Sequence, residues 1–340
     1  IGRTLPCVPE SEDVRLFKRE NSVTATPSMS DRLTRDNLHG VWGAIPTPFT
    51  EDNRFDEGVF RENVRRLHAS GIHGIYTTDS DGEFFAIELN EFKQIVDAFT
   101  EETQRLSFPS MVGVTWCNTQ GMIDRLAYSA ARGILGAHVG HPFFMPMTPA
   151  SYQAFWQDVA QAVPEWFALI HYNTPRVHNN QRGPDYAILQ TEVPGLIGTK
   201  HVGSDESEFQ LIMDNSPCLS HFVLDTTMTP LMKLGARGVN SWLSNANPRY
   251  MVDWYNDILN GRWVQAEHRH QRVQALIEAK KLLVADGNLH GTVNKALTVA
   301  SGFLEGTART RRPYLPIPDE TIAQFRCIME KEFPDLLWKE

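Results

Sequence analysis

Between Gly40 and Trp242, eight short apolar runs alternate with longer stretches of helical spacing, and this alternation limits the possible folds more than any other feature. The runs occupy 41–46, 74–78, 110–115, 137–140, 167–172, 196–200, 220–224 and 238–242. Between them, 57–69, 90–103, 119–131 and 149–162 carry apolar residues three and four apart, enough for three or four helical turns each. Asp56, and Asn118 or Thr119, stand where helix caps are expected. Repeated strand-helix units build parallel sheets. An open doubly wound sheet would accept the same alternation, but no GxGxxG follows a strand and no GxxxxGK[ST] occurs. The pattern predicts an α/β fold, a closed (β/α)₈ TIM barrel over 37–246. Beyond it, helical spacing continues at 248–259, 263–283, 290–300 and 319–333, which predicts C-terminal helices over 247–340 packed on the barrel.

Residues 1–36 have neither period and are rich in charge, proline, serine and threonine, so they are expected to form a poorly ordered extension outside the core. The polar stretch after Met29 leads into the first strand, and the natural product is expected to begin near that methionine. A net charge of -9 argues against a nucleic-acid surface, which needs a basic face. No apolar run approaches the ~18 residues of a membrane span, and no secretion signal opens the chain. Cysteines at 7, 117, 218 and 327 form no CxxC pair, and reduced, mostly buried thiols in the cytoplasm are expected. His268 and His270 are two apart on a helix and there is no HExxH, so no metal site is expected.

In a barrel of this kind, chemistry gathers where the strands end. Three endings stand out: 76–83 (YTTDSDGE), 171–175 (HYNTP) and 198–200 (GTK). Lys200 terminates an apolar run, and partial desolvation there would raise the fraction of free amine. A lysine after a strand is also an ordinary solvated residue. Tyr172 is either a rim aromatic with a satisfied hydroxyl or a proton carrier. In the loop around Ser80, Asp81 and Gly82, the glycine would let the backbone approach a carboxylate, while a plain turn with aspartates capping local amides explains the same residues. Its two aspartates would repel an anion unless one turns away or is neutralised. Lys280, Lys281 and Lys295 are rival amines, but they fall in helical sequence where structural or solvent-facing duties are expected.

Taken in order, these endings resemble the dihydrodipicolinate synthase and N-acetylneuraminate lyase superfamily over residues 38–333. Residues 42–49 (WGAIPTPF) resemble its opening strand, 80–83 (SDGE) its carboxylate-binding loop, 172–175 (YNTP) its Tyr-Asn-x-Pro, 198–200 its Gly-x-Lys and 234–241 (LGARGVNS) its entry to the eighth strand. The resemblance implies that Lys200 forms a Schiff base with a pyruvate-like 2-oxo acid and that Tyr172 relays protons. It further implies that the backbone around Ser80, Asp81 and Gly82 holds the carboxylate, that Asn240 lines the pocket, and that no metal or organic cofactor is required. A homotetramer is the implied assembly. Departures accompany it: Asp81 replaces a hydroxyl residue, Phe143 and Phe144 replace paired tyrosines, and Val177 stands where an arginine is usual, with Arg176 expected to point elsewhere. A Gly-Asp-Asp is reduced to Val223, Leu224 and Asp225. The expected function is therefore aldol cleavage or condensation of a 2-oxo acid with an apolar tail, Phe144 lining the outer pocket, and not dihydrodipicolinate synthesis. The alternatives are a sugar-acid dehydratase or aldolase, with Thr115, Asn118, Asp225 or Ser241 reading hydroxyls, and a catalytically silent ligand sensor.

Overall fold

In the computed structural model, which describes residues 27–28, 31–178, 180–287 and 290–339, eight parallel strands close a barrel in chain order. They are β1 (Gly40–Ala44), β2 (Gly74–Thr77), β3 (Ser110–Gly113), β4 (Gly136–Val139), β5 (Ala168–Asn173), β6 (Leu196–His201), β7 (Ser220–Leu224) and β8 (Gly238–Ser241). Gly40 to Gly43 of β1 register with Gly238 to Ser241 of β8, so the sheet has no edge to protect.

Each strand is followed by a helix: α1 (Glu57–Ala69), α2 (Leu89–Arg105), α3 (Thr119–Ala131), α4 (Pro149–Gln161), α5 (Gly183–Glu192), α6 (Glu206–Asn215), α7 (Met228–Lys233) and α8 (Pro248–Leu259). Asp56 and Asn118 do cap their helices, accepting from the Val59 and Gly121 amides. The chain then adds α9 (Trp263–Ala279), a 3₁₀ segment (Lys280–Gly287), α10 (His290–Ser301) and α11 (Asp319–Glu332).

Strand parity divides the core. Val41, Ile75, Val112, Val139, Leu169 and Val239 face outward and pack against helix residues such as Phe60, Phe92 and Phe99. Their neighbours Trp42, Tyr76, Met111, Ile170 and Phe222 form a second cluster inside the barrel. The same parity sends His171, Thr199, His201 and His221 outward into a buried polar cluster. There His171 Nδ1 lies 2.8 Å from the Tyr186 hydroxyl, and Thr199 Oγ1 lies 2.7 Å from both His201 Nε2 and His221 Nδ1. Burial keeps all three imidazoles below their ordinary pKa, His221 at about 4.

Several sequence expectations are corrected. α8 packs on β1 as the barrel's eighth helix, so the boundary at 246/247 falls inside the barrel unit and the added helices begin with α9. The helix expected over 263–283 ends at Ala279, where Lys280 turns its ammonium inward to Asn294 Oδ1 at 2.8 Å. Of the expected extension, residues 1–26, Met29 and Ser30 lie outside the described residues, but Leu33 is buried and joins the cluster inside the barrel together with Leu38. Cys117, Cys218 and Cys327 are free and exposed instead of buried, because they sit in turns and on an outward helix face; Cys7 lies outside the described residues. No helix among the described residues is long and apolar enough to cross a membrane.

Candidate active site

The carboxyl ends of the strands converge on a cavity of about 120 Å³. Tyr76 on β2, Tyr172 on β5, Lys200 on β6 and Asn240 on β8 line it, with Ser80 and Asp81 of the loop after β2. Register explains the meeting, since Tyr172 is paired with Lys200 across the β5–β6 ladder and both fall on the inward parity.

Lys200 is 4% exposed. Its Nζ donates to Asp79 Oδ2 at 2.8 Å and to the Tyr76 hydroxyl at 3.4 Å, and lies 4.3 and 4.5 Å from the ring centroids of Tyr172 and Tyr76. Burial opposes the charge, but Asp79 and then the two tyrosines raise Lys200 above its ordinary pKa. The free protein therefore holds an ammonium here. This corrects the expectation that shelter alone frees the amine: desolvation is the largest single influence, but Asp79 and the two tyrosines together outweigh it.

Asp79 is itself buried; desolvation pushes its carboxyl up, yet Lys200 and His138 together hold it down at about 2. His138 Nδ1 lies 2.7 Å from the same Oδ2, and burial keeps this imidazole below its ordinary pKa despite the neighbouring anion. The Tyr172 hydroxyl and Ser80 Oγ are 3.2 Å apart.

The loop carries three buried acids, Asp79, Asp81 and Glu83, and each finds a partner. Asp81 Oδ1 accepts from Asn294 Nδ2 at 2.8 Å, and the carbonyl of that amide accepts from Lys280 Nζ at 2.8 Å. Glu83 is paired with Lys295, which also donates to the Arg309 carbonyl at 2.8 Å. Of the two aspartates expected to repel an anion, Asp79 is paired with Lys200 and Asp81 is turned to Asn294 of α10, which Lys280 of the 3₁₀ segment bonds in turn. Lys280 is pulled down to about 8 by burial, with Asp81 and Asp225 opposing, and its ammonium sits 3.8 Å from the Trp242 ring centroid. Thr78 and Glu83 adopt left-handed backbone angles, with φ of 55° and 56°. A Cβ on Gly82 would lie 2.5 Å from the Thr78 nitrogen. Gly82 therefore closes the turn on itself and does not line the cavity, unlike the close ligand approach expected for it.

Asn240 is 1% exposed, and neither Oδ1 nor Nδ2 has a hydrogen-bond partner among the described residues. A buried amide left unpaired beside a cavity is costly unless something enters to bond it. Arg176 lines the same cavity, contrary to the expectation that it points away, and Val177 is the buried member of the pair. Phe144 is 77% exposed and does not line the cavity; Phe143 packs instead against Phe84, 6.1 Å between ring centroids. The expectation of Phe144 as a pocket residue is corrected accordingly: the loop after β4 carries it outward. Asp225 accepts from Ser241 Oγ at 2.6 Å and the Trp242 amide at 3.0 Å, and burial pushes its carboxyl up to about 6.

Tyr76 and Asp79 fall in the ending that stands out at 76–83, but the sequence does not place them beside the amine, and it gives His138 no role. The signal was a histidine inside a short apolar strand, two residues after Gly136 and on the parity that Met111 and Tyr76 share in neighbouring strands.

A closed eight-stranded barrel with its buried polar groups gathered at the carboxyl ends of the strands is the architecture of a barrel enzyme. Residues 37–332 match the Dihydrodipicolinate synthetase family, and the chain belongs to that family. It is similar to a 4-hydroxy-tetrahydrodipicolinate synthase of Methanothrix thermoacetophila, 26% identical over 297 residues covering 86% of this chain and 97% of that one. It is also similar to an uncharacterized DapA-like lyase of Halobacterium salinarum, 24% identical over 311 residues, 91% and 97% of the two chains. Among solved structures, YagE, a prophage protein of E. coli K12 in complex with pyruvate, superposes with a TM-score of 0.80 at 19% identity, covering 86% of this chain and 98% of that one. Dihydrodipicolinate synthase from Aquifex aeolicus superposes with a TM-score of 0.78 at 22% identity, covering 89% and 100%.

Proposed function

We propose that this protein is a Schiff-base-forming lyase acting on a pyruvate-like 2-oxo acid by aldol cleavage or condensation, and that it is not itself a dihydrodipicolinate synthase. The observation that carries the reading is Lys200 Nζ, buried at the mouth of the barrel between two tyrosines and opening on a small cavity. The amine attacks the 2-oxo carbon, and loss of water leaves an iminium that draws electrons from the adjacent bond. Tyr172, bonded to Ser80, carries protons between amine, carbinolamine and substrate. Arg176 at the rim, the Asn240 amide and the backbone around Ser80 and Asp81 hold the carboxylate. The complexed state of YagE supports a 2-oxo acid of this size.

The departure from dihydrodipicolinate synthesis rests on the chain's own residues. Asp81 is tied to Asn294 where a hydroxyl is usual, and Phe144 lies out in solvent. Leu224, Val202 and Trp242 give the cavity an apolar wall, which suits a hydrophobic or aromatic tail. The test is a panel of aldol adducts of pyruvate with aromatic, sugar-derived and semialdehyde partners, assayed for pyruvate release with Lys200→Ala as control. Release from aromatic adducts is expected, lost in the variant. Water loss without pyruvate release would assign a dehydratase instead, and turnover only with the semialdehyde would restore the synthase.

A further inference from the structure

One carboxylate oxygen beside the cavity serves two partners. Asp79 Oδ2 accepts from Lys200 Nζ at 2.8 Å and lies 2.7 Å from His138 Nδ1, with all three side chains no more than 5% exposed. Three consecutive strands build the arrangement. The left-handed Thr78, φ 55°, ends β2 just before Asp79. Residue 113 at the end of β3 is glycine, and a Cβ there would lie 2.2 Å from Asp79 Oδ1, so only glycine leaves room for the carboxylate. His138 comes from β4, its ring edge-on to Tyr76 at 4.7 Å between centroids. Two atoms of the pair, Asp79 Oδ1 and His138 Nε2, have no hydrogen-bond partner among the described residues, an expensive way to stabilise a core.

We infer that Asp79 is a catalytic residue, the fixed counterion that Lys200 keeps from ammonium to iminium, and that His138 is the positioning residue holding Asp79 on the amine. The inference rests on the lyase reading above. Condensation joins nitrogen to the carbonyl carbon and breaks the carbon–oxygen bonds, the oxygen leaving as water with two of the three ammonium protons. The nitrogen is cationic before and after, so one anion matches both states. Between them the amine must be neutral to attack. Asp79 Oδ2, the nearest acceptor, takes one proton from Nζ and returns it to the carbinolamine hydroxyl, which departs as water; the second proton passes from nitrogen to that oxygen through Tyr172, the carrier assigned above.

The other titratable groups facing the pair are the phenols of Tyr76 and Tyr172 and the carboxyl of Asp81. Burial alone would depress Lys200, and Asp79 is the largest influence opposing it. Without the carboxylate, desolvation meets less opposition, that of the two tyrosines, and the amine loses its proton at lower pH.

The test is the pH profile of pyruvate-adduct formation, trapped with borohydride and read by intact mass, in wild type and Asp79→Asn. In wild type the rate is expected to climb about tenfold per pH unit while the ammonium dominates. In Asp79→Asn that limb is expected about one to three pH units lower, with steady-state turnover down at least about tenfold because the iminium lacks its counterion. Asp79→Gly leaves a carboxylate-sized space, and added formate is expected to return the limb toward wild type in this variant but not in Asp79→Asn. His138→Phe, which lets the carboxylate swing, is expected to move the limb the same way by less. A limb that stays in place in the Asp79 variants overturns the inference and leaves the lyase reading standing; no adduct in wild type overturns both.

Discussion

The buried pair between Glu83 and Lys295 ties α10 to the loop that shapes the cavity, and its removal has a calculable cost. Both side chains are at most 3% exposed. Lys295→Met keeps the stem of the side chain and deletes the ammonium, leaving a buried carboxylate whose other oxygen has no partner among the described residues. Breaking a buried pair on one side costs about 3–5 kcal/mol, because the remaining charge is uncompensated. Melting followed by calorimetry should show Tm lower by roughly 5 °C or more. The double variant Lys295→Met with Glu83→Gln removes the orphaned charge and is expected to recover at least half of the loss. A fall in Tm of less than about 1 °C, or a double variant no more stable than the single, would refute the view that the loop's acids are held in place by the C-terminal helices.

Two further outcomes follow from burial. Asn240→Leu deletes an unpaired buried amide, so the free protein is expected to gain about 1 kcal/mol or more in urea unfolding while the pyruvate concentration for half-maximal trapping rises at least about tenfold; a loss of stability with unchanged trapping would show that the amide serves the fold. His171, His201 and His221 are neutral in the folded chain with pKa values below that of a free imidazole, so the stability they contribute is present above about pH 6.5 and is lost as pH falls toward the folded values. For His221 the gap between 6.5 and about 4, at about 1.4 kcal/mol per pH unit, comes to about 3 kcal/mol. Tm should accordingly drop between pH 7 and 4.5, and the drop should shrink in His221→Phe; equal drops would clear this imidazole of a role.

The barrel was legible because period and parity are local properties: runs of four to six inward-and-outward residues with capped helices between them admit few other packings. Lys200, Tyr172, Ser80, Asp81 and Asn240 were singled out at strand and loop ends and do line one cavity. What escaped depends on contacts across the chain. The pairing of Asp81 with Asn294 and of Glu83 with Lys295 spans more than two hundred residues, and no spacing rule reaches that far. Asp79 lies in the loop that stands out in the sequence, but its place beside Lys200 is not legible there because it depends on Gly113 in another strand. Phe144 and Arg176 are misjudged for a related reason: both sit in connections after a strand, Arg176 in a 3₁₀ turn at Pro175–Val177, where a neighbour's position says little about which side chain turns inward.

Lys200 and Lys280 are both buried near the mouth, and their environments pull them in opposite directions. Lys280 is held at about 8 and by charge state alone is the readier nucleophile, whereas Lys200 is held above the ordinary lysine value by Asp79. Only Lys200 lines the cavity. Peptide mapping of the borohydride-reduced pyruvate adduct decides between position and charge. The proposed chemistry requires the added mass on the peptide bearing Lys200, and a label carried by Lys280, or by no lysine, would contradict it.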